Sequence, residues 1–232
     1  MSKRVYFAIA TKEFETDFIN LEKSFKKFNS KETLIRFSEK DLPKDKDIFF
    51  RATPYFTKKL FNEGYDEVCH LDADQIILGN LDHIWEGGYD VAVVLNSPAY
   101  PIGVWDIGAP SNTPYFNNGL NVFRNKEFIN HWLYLCYTPH FNFYQFREQD
   151  LLNILCSDYF SYKVRILDGD KIHGEYAKPE WKEAKVVDGK VMIADKELLV
   201  IHFGGGSGDP SKGNYRIRFQ DPVSKHIDEV LK

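Results

Sequence analysis

The run His70, Leu71, Asp72, Ala73, Asp74 stands where a hydrophobic stretch, Glu67 to Leu71, comes to an end. Two carboxylates separated by one residue can converge on a single cation, and the carboxyl ends of strands are where ligands bind in open α/β sheets. A divalent ion held there would neutralise a bound diphosphate and stabilise it as a leaving group. Taken alone, an Asp-x-Asp is more often surface acid than ligand. Its position strengthens it, because two acids ending a buried strand repel each other unless a cation or hydrogen-bond donors compensate.

A second group is Val200, Ile201, His202, Phe203 followed by Gly204, Gly205, Gly206 and Gly208. An imidazole ending a short apolar strand is either a metal ligand or a satisfied residue at the rim of the core. The glycines, Gly205 among them, permit close backbone approach and supply free amide donors suited to a phosphate, or else form a flexible turn. Asn117 and Asn118 precede an apolar run, and Arg147, Glu148, Gln149 and Asp150 open a helical one. Taken alone, the Asn pair reads as a turn and the acids as compensation of the helix dipole. Lys58 and Lys212 are either solvent-facing or available to an anion.

The elements that must carry these groups follow from periodicity. Val5 to Ala10 reads as a buried parallel strand, and Phe14, Phe18, Leu21, Phe25 and Phe28 mark one face of a following helix. Thr33 to Phe37 is a second strand, and Pro54 to Asn62 a helix entered through Thr53 and stopped at Gly64. Strands are expected at Glu67 to Leu71, Asp90 to Leu95, Gly119 to Phe123, Lys163 to Leu167, Lys190 to Ala194 and Leu199 to Phe203. Helices are expected at Glu127 to Tyr137 and Glu148 to Cys156. Four prolines and two glycines between Ser97 and Tyr115 exclude regular structure and predict a long functional loop containing Tyr100 and Trp105. Alternation of strand and helix predicts a doubly wound α/β fold with a mostly parallel central sheet and helices on both faces.

At 232 residues and 43% apolar content the chain is long enough for one well-cored domain. Its formal charge of −4, with both signs interspersed, provides no basic field, so no nucleic-acid partner is expected. Lys23, Lys26 and Lys27 fall at helical spacing opposite apolar residues and read as a solvated face rather than a membrane patch. Three cysteines without paired spacing suggest neither a disulfide framework nor a zinc site. MSKRVYFAIA lacks a signal-peptide core, and no apolar run approaches the ~20 residues of a membrane span. A cytoplasmic location is the expectation. Aromatic content of 16% suits either a packed core or a sugar-binding cleft.

Together these stretches resemble the retaining glycosyltransferases of family eight, the group of glycogenin and the bacterial lipopolysaccharide galactosyltransferases, whose fold is the Rossmann-like GT-A arrangement. The resemblance runs in order through YFAIAT at Tyr6 to Thr11, FTKKL at Phe56 to Leu60, HLDADQIILGNLDHIW at His70 to Trp85, FNNGLNVF at Phe116 to Phe123, EQDLLN at Glu148 to Asn153 and IHFGG at Ile201 to Gly205. It implies a single GT-A domain, with donor binding in about the first 95 residues and the acceptor side in the remainder. It implies that Ala8, Ala10 and Thr11 lie beside the nucleotide base and ribose. Asp72, Asp74 and His202 would be the metal ligands, with Asp72 also reaching the ribose and Ala73 between the two acids. By the same resemblance Lys58 lies near the diphosphate or sugar, Asn117 and Asn118 near the transferred sugar, Glu148 hydrogen-bonds that sugar and Gln149 lies beneath its anomeric carbon. Manganese, with magnesium as the alternative, and a UDP-sugar donor are implied, a mixed carboxylate and imidazole set being compatible with manganese.

The chain departs from the family in three places. The family continues its histidine motif to Lys-Pro-Trp, whereas GGGSGDPSKGNYR follows here and Lys212 is the lysine assigned to the diphosphate. Glu148 stands where an Asp is usual, and no C-terminal membrane-associating helix is evident. The expected activity is transfer of a hexose from a nucleotide-diphosphate sugar to a hydroxyl of a glycan or glycoconjugate. Retention follows from the resemblance, and front-face attack from the lack of an evident carboxylate nucleophile. A nucleotide-sugar hydrolase and a non-catalytic sugar- or protein-binding module of the same fold are the alternatives.

Overall fold

The computed structural model of the protein describes residues 2–43, 51–96, 107–108, 113–157, 160–169, 171–173, 183–203 and 219–232. Most of the loop expected between Ser97 and Tyr115, including Tyr100 and Trp105, lies outside the described residues, as do the glycine run with Gly205, and Lys212.

The first strand, β1 (Arg4–Ile9), sends Val5 and Phe7 into one core and Tyr6 and Ala8 into another. A strand covered on both faces needs apolar side chains on both, hence the nearly continuous apolar run. Helix α1 (Glu15–Phe28) lays Phe18, Leu21 and Phe25 on the Tyr6 side. Helices α2 (Ala52–Asn62), α3 (Lys126–Cys136) and α4 (Glu148–Leu155) cover the Phe7 side with Phe56, Leu60, Phe128, Trp132 and Leu152. Trp132 is fully buried and its Nε1 donates to the carbonyl of Glu148 at 2.9 Å, pinning the start of α4 to α3. Loss of a ring so placed costs about 3–5 kcal/mol, so this junction is firmly held.

The central sheet adds β2 (Leu34–Phe37), β3 (Glu67–Asp72), β5 (Val91–Leu95), β6 (Phe116–Phe123) and β7 (Val164–Ile166), in the order β2-β1-β3-β6-β5-β7. Strand β1 is parallel to β2 and β3, and β5 is parallel to β7; only β6 runs against its neighbours β3 and β5. A mostly parallel sheet with helices on both faces is therefore what forms. A second sheet joins β4 (Gln75–Ile77), β11 (Lys196–His202), β10 (Lys190–Ile193) and β9 (Lys185–Val187), with β8 (Lys171–His173) beside β11. Helix α5 (Val223–Val230) packs Val223, Ile227 and Val230 against it.

Several expectations are corrected. Helix α2 begins at Ala52 and not through Thr53. Arg51 precedes it, its Nε donating to the carbonyl of Cys136 at 2.6 Å and its guanidinium lying over the rings of Tyr137 and Phe141, so the chain is already anchored there. Pro54 still falls in the first turn, where its missing N–H costs nothing. Asn117 and Asn118 belong to β6 and not to a turn before it: the strand starts at Phe116, whose N–H and C=O are both bonded by the Asn153 side chain. Strands β4, β8 and β9 and helix α5 are too short or too polar to stand out by periodicity. No described helix is long and apolar enough to cross a membrane.

Candidate functional site

Strand β3 ends at Asp72, the chain turns through Ala73 and Asp74, and Gln75 starts β4. Strand β4 runs antiparallel to β11 with Gln75 opposite His202, Ile76 opposite Ile201 and Ile77 opposite Val200. That pairing carries the imidazole to the two acids. His202 Nε2 lies 3.2 Å from Asp72 Oδ2 and 3.2 Å from Asp74 Oδ1. His202 and Asp74 are buried, whereas the Asp72 side chain is 39% exposed and faces the opening. Each of the three offers a ligand atom, all within 4.8 Å of one another, and among the described residues no other such group of three or more occurs.

Burial alone would push the His202 imidazole down, but the carboxylates of Asp74 and Asp72 outweigh it and hold its pKa up at about 10. Without a metal, the ring therefore keeps a proton, and the triad retains one negative charge in a buried place. Exchange of that proton for a divalent cation would leave the group neutral, which is how the donor set fits such an ion.

His70, buried but reaching the cavity wall, sits beside Asp72. Its Nδ1 lies 3.0 Å from the carbonyl oxygen of Asn118, which can only accept, so Nδ1 carries the proton. Its Nε2 is 3.6 Å from Asp72 Oδ1. Burial lowers the His70 pKa against the opposing pull of Asp72 and the Asn118 carbonyl, so the ring is neutral. Gly119 follows Asn118, and its N–H donates to Asn117 Oδ1 at 2.6 Å while its carbonyl accepts from Gln75 Nε2 at 2.9 Å.

A cavity of about 220 Å³ opens over these groups, lined by Ile9, Phe14, Thr53 and His70 and by acids and amides from the end of β3 and the turn after it, β6 and α4. Of the residues expected at the site, Asp72, Ala73, Asp74, Asn118, Glu148 and Gln149 line it, and His202 meets two of them. Ala8 and Ala10 are buried in the core shared with α1, and the β1 residue at the cavity wall is Ile9. Thr11 is half-exposed, Lys58 lies exposed on α2, and Asn117 supports Gly119 from behind. Phe14 and Thr53 line the cavity without any mark as site residues in the sequence, where they read as a helix-face apolar residue and a helix cap.

Glu148 heads α4 after Arg147, whose φ of 47° with ψ of −110° is a sparsely populated backbone conformation for a residue with a side chain, a strain of about 1–3 kcal/mol. Burial pushes the Glu148 carboxyl up to about 8, its own backbone N–H opposes, and the Asp72 charge adds to the rise. Its folded pKa is thus above the unfolded value of 4.5, so the associated stability is present below that value and is lost as pH rises through about 8. Glu148→Gln, which cannot ionise, is expected to gain a few kcal/mol relative to the cation-free parent between pH 5 and pH 8.5. Denaturant melts across that range check it, and a pH-independent difference would count against the raised pKa of Glu148.

No family model matches the sequence, and no curated protein matches it. Solved structures do match. The chain is similar to the galactosyltransferase LgtC in complex with donor and acceptor sugar analogs, with a TM-score of 0.64 at 16% identity over 98% of this chain and 95% of that one. It is similar to the bifunctional glycosyltransferase WbbM in its apo form, with a TM-score of 0.65 at 13% identity over 99% of this chain and 50% of that one, so it spans half of WbbM's length. A glycosyltransferase involved in glycosylation of the major capsid of PBCV-1 gives a TM-score of 0.59 at 8% identity over 99% of this chain and 100% of that one. The chain therefore has the α/β fold of the GT-A glycosyltransferases.

Proposed function

We propose that the protein is a metal-dependent, retaining glycosyltransferase that moves a hexose from a nucleotide-diphosphate sugar, a UDP-sugar in the first instance, to a hydroxyl of a glycan or glycoconjugate. The observation that carries this reading is the meeting of Asp72, Asp74 and His202 at the mouth of a polar cavity in a GT-A fold. Manganese suits the mixed carboxylate and imidazole set, with magnesium, which favours oxygen donors, as the alternative. When bound, the cation would offset the diphosphate charge and make the nucleoside diphosphate a better leaving group.

The chain's own residues do the remaining work. Asp72 and Asp74 would hold the ion at the diphosphate end, and Asn118, Glu148 and Gln149 line the same cavity, where the sugar would lie. Glu148, neutral at pH 7 by virtue of its raised pKa, donates a hydrogen bond to a sugar hydroxyl without adding charge beside Asp72. The bond from the anomeric carbon to the phosphate oxygen breaks with its electron pair on the phosphate. The acceptor oxygen bonds to the same face of the sugar, and its proton passes to the departing phosphate. The Gln149 amide oxygen stabilises the electron-poor carbon between these events.

A panel of UDP-, GDP- and TDP-sugars with manganese, read by nucleoside diphosphate release with and without glycan acceptors, tests the reading. Acceptor-stimulated release from at least one donor is expected. No release from any donor, together with no cation-dependent nucleotide binding by calorimetry, would overturn it.

A further inference from the structure

We infer that Tyr115 and Asp150 are positioning residues that determine which end of the Gln149 side-chain amide faces the sugar, an inference that rests on the transferase reading above. Asp150 follows Gln149 on α4, so the two side chains leave the helix about 100° apart. Gln149 faces the cavity, while Asp150 is fully buried beneath it. The Asp150 carboxylate accepts at both oxygens, from the Tyr115 hydroxyl on Oδ1 at 2.5 Å and from the Phe146 N–H on Oδ2 at 2.7 Å.

With Asp150 ionised, its carboxylate has no proton to give, and the single hydroxyl proton of Tyr115 is committed to it. The Tyr115 oxygen then faces Gln149 Nε2, 3.3 Å away, with lone pairs only, so that atom must be the NH₂ end of the amide. The opposite end is set independently, because Gln149 Oε1 accepts the Asn118 N–H at 3.0 Å. The two ends of a glutamine amide are nearly the same size and usually exchange at little steric cost. Here a flip would set NH₂ against the Asn118 N–H and a carbonyl oxygen against the Tyr115 lone pairs. Asn153 holds the two elements in register, its Nδ2 bonding the carbonyls of Phe116 and Gln149 and its Oδ1 the Phe116 N–H. The second lone pair of Oε1 is thereby kept for the sugar. Tyr115 and Asp150 achieve this without lining the cavity.

The test is a double-mutant cycle of Tyr115→Phe and Gln149→Ala, read as kcat and donor KM with manganese, beside Asp150→Asn as a single variant. Tyr115→Phe is expected to lower kcat on the order of 10- to 100-fold with donor KM changed by no more than about twofold. In the Gln149→Ala background it should lower kcat no further, because a residue acting through Gln149 has nothing left to position. Asp150→Asn, whose amide can donate to Tyr115 and reverse the chain of bonds, should reproduce the kcat loss and stands in if Tyr115→Phe does not fold. Wild-type kcat in Tyr115→Phe, or an equal loss with and without Gln149, overturns the inference. Hydrogen exchange of the ¹⁵N-labelled Gln149 amide separates this from the transferase reading. Its NH₂ protons should be protected in the parent and lose protection in Tyr115→Phe even if no donor turns over, and unchanged exchange overturns the inference on its own.

Discussion

Asp74→Ala is expected to lower donor turnover by about 10³-fold and to remove its response to manganese, since several kcal/mol of leaving-group stabilisation go with the ion. Asp74 is the more buried of the two acids, and its Oδ1 lies 3.2 Å from His202 Nε2. It is also the stronger of the two charges holding the His202 pKa up at about 10. Its removal leaves burial to act on the imidazole with only Asp72 opposing, so the His202 titration should move to lower pH. The same variant thus gives two readings, one of activity and one of an NMR-observed imidazole. Asp74→Asn, which keeps the shape and loses the charge, should share both effects. Turnover and manganese dependence that survive in Asp74→Ala would remove the metal assignment.

Gly119→Ala is expected to weaken manganese binding by about 10- to 100-fold, the range seen when the support of a metal ligand is disturbed. A Cβ at this position would lie 2.6 Å from His202 Nδ1 and 2.7 Å from Asn117 Oδ1, closer than side chains approach. The backbone there does not require glycine; the neighbours do. His202 has no easy retreat, being buried and held by two carboxylates, so the ring must move off its position over Asp72 and Asp74. The stability cost of such overpacking is about 1–3 kcal/mol, small enough for the variant to fold. Calorimetric titration of folded Gly119→Ala with manganese checks it; parental affinity would mean that the ring is not held where these contacts put it.

The central architecture was legible because its signals are local. Val5, Phe7, Val68, Val91 and Val93 are buried on one face and Tyr6, Ala8, Leu71, Ala92 and Val94 on the other, and a strand buried on both sides shows in the sequence as unbroken hydrophobicity. Asp72 and Asp74 announced themselves by interrupting such a run. Two strands of the second sheet, β10 and β11, were expected from their apolar runs, but β4, β8 and β9 did not show, since they hold three residues each and three residues carry no usable period.

That blind spot has a consequence for the site. Local pattern alone decided that two acids would end a buried strand and that an imidazole would end another. The union of His202 with them was decided in three dimensions, by β4 pairing with β11. The orientation of Gln149 was decided in the same way, by hydrogen bonds to Tyr115 and Asn118, residues 34 and 31 positions away in the chain. Side-chain periodicity reports which face a residue buries; it holds no record of which distant backbone N–H or hydroxyl that face will meet, because such partners are selected only when the chain closes on itself.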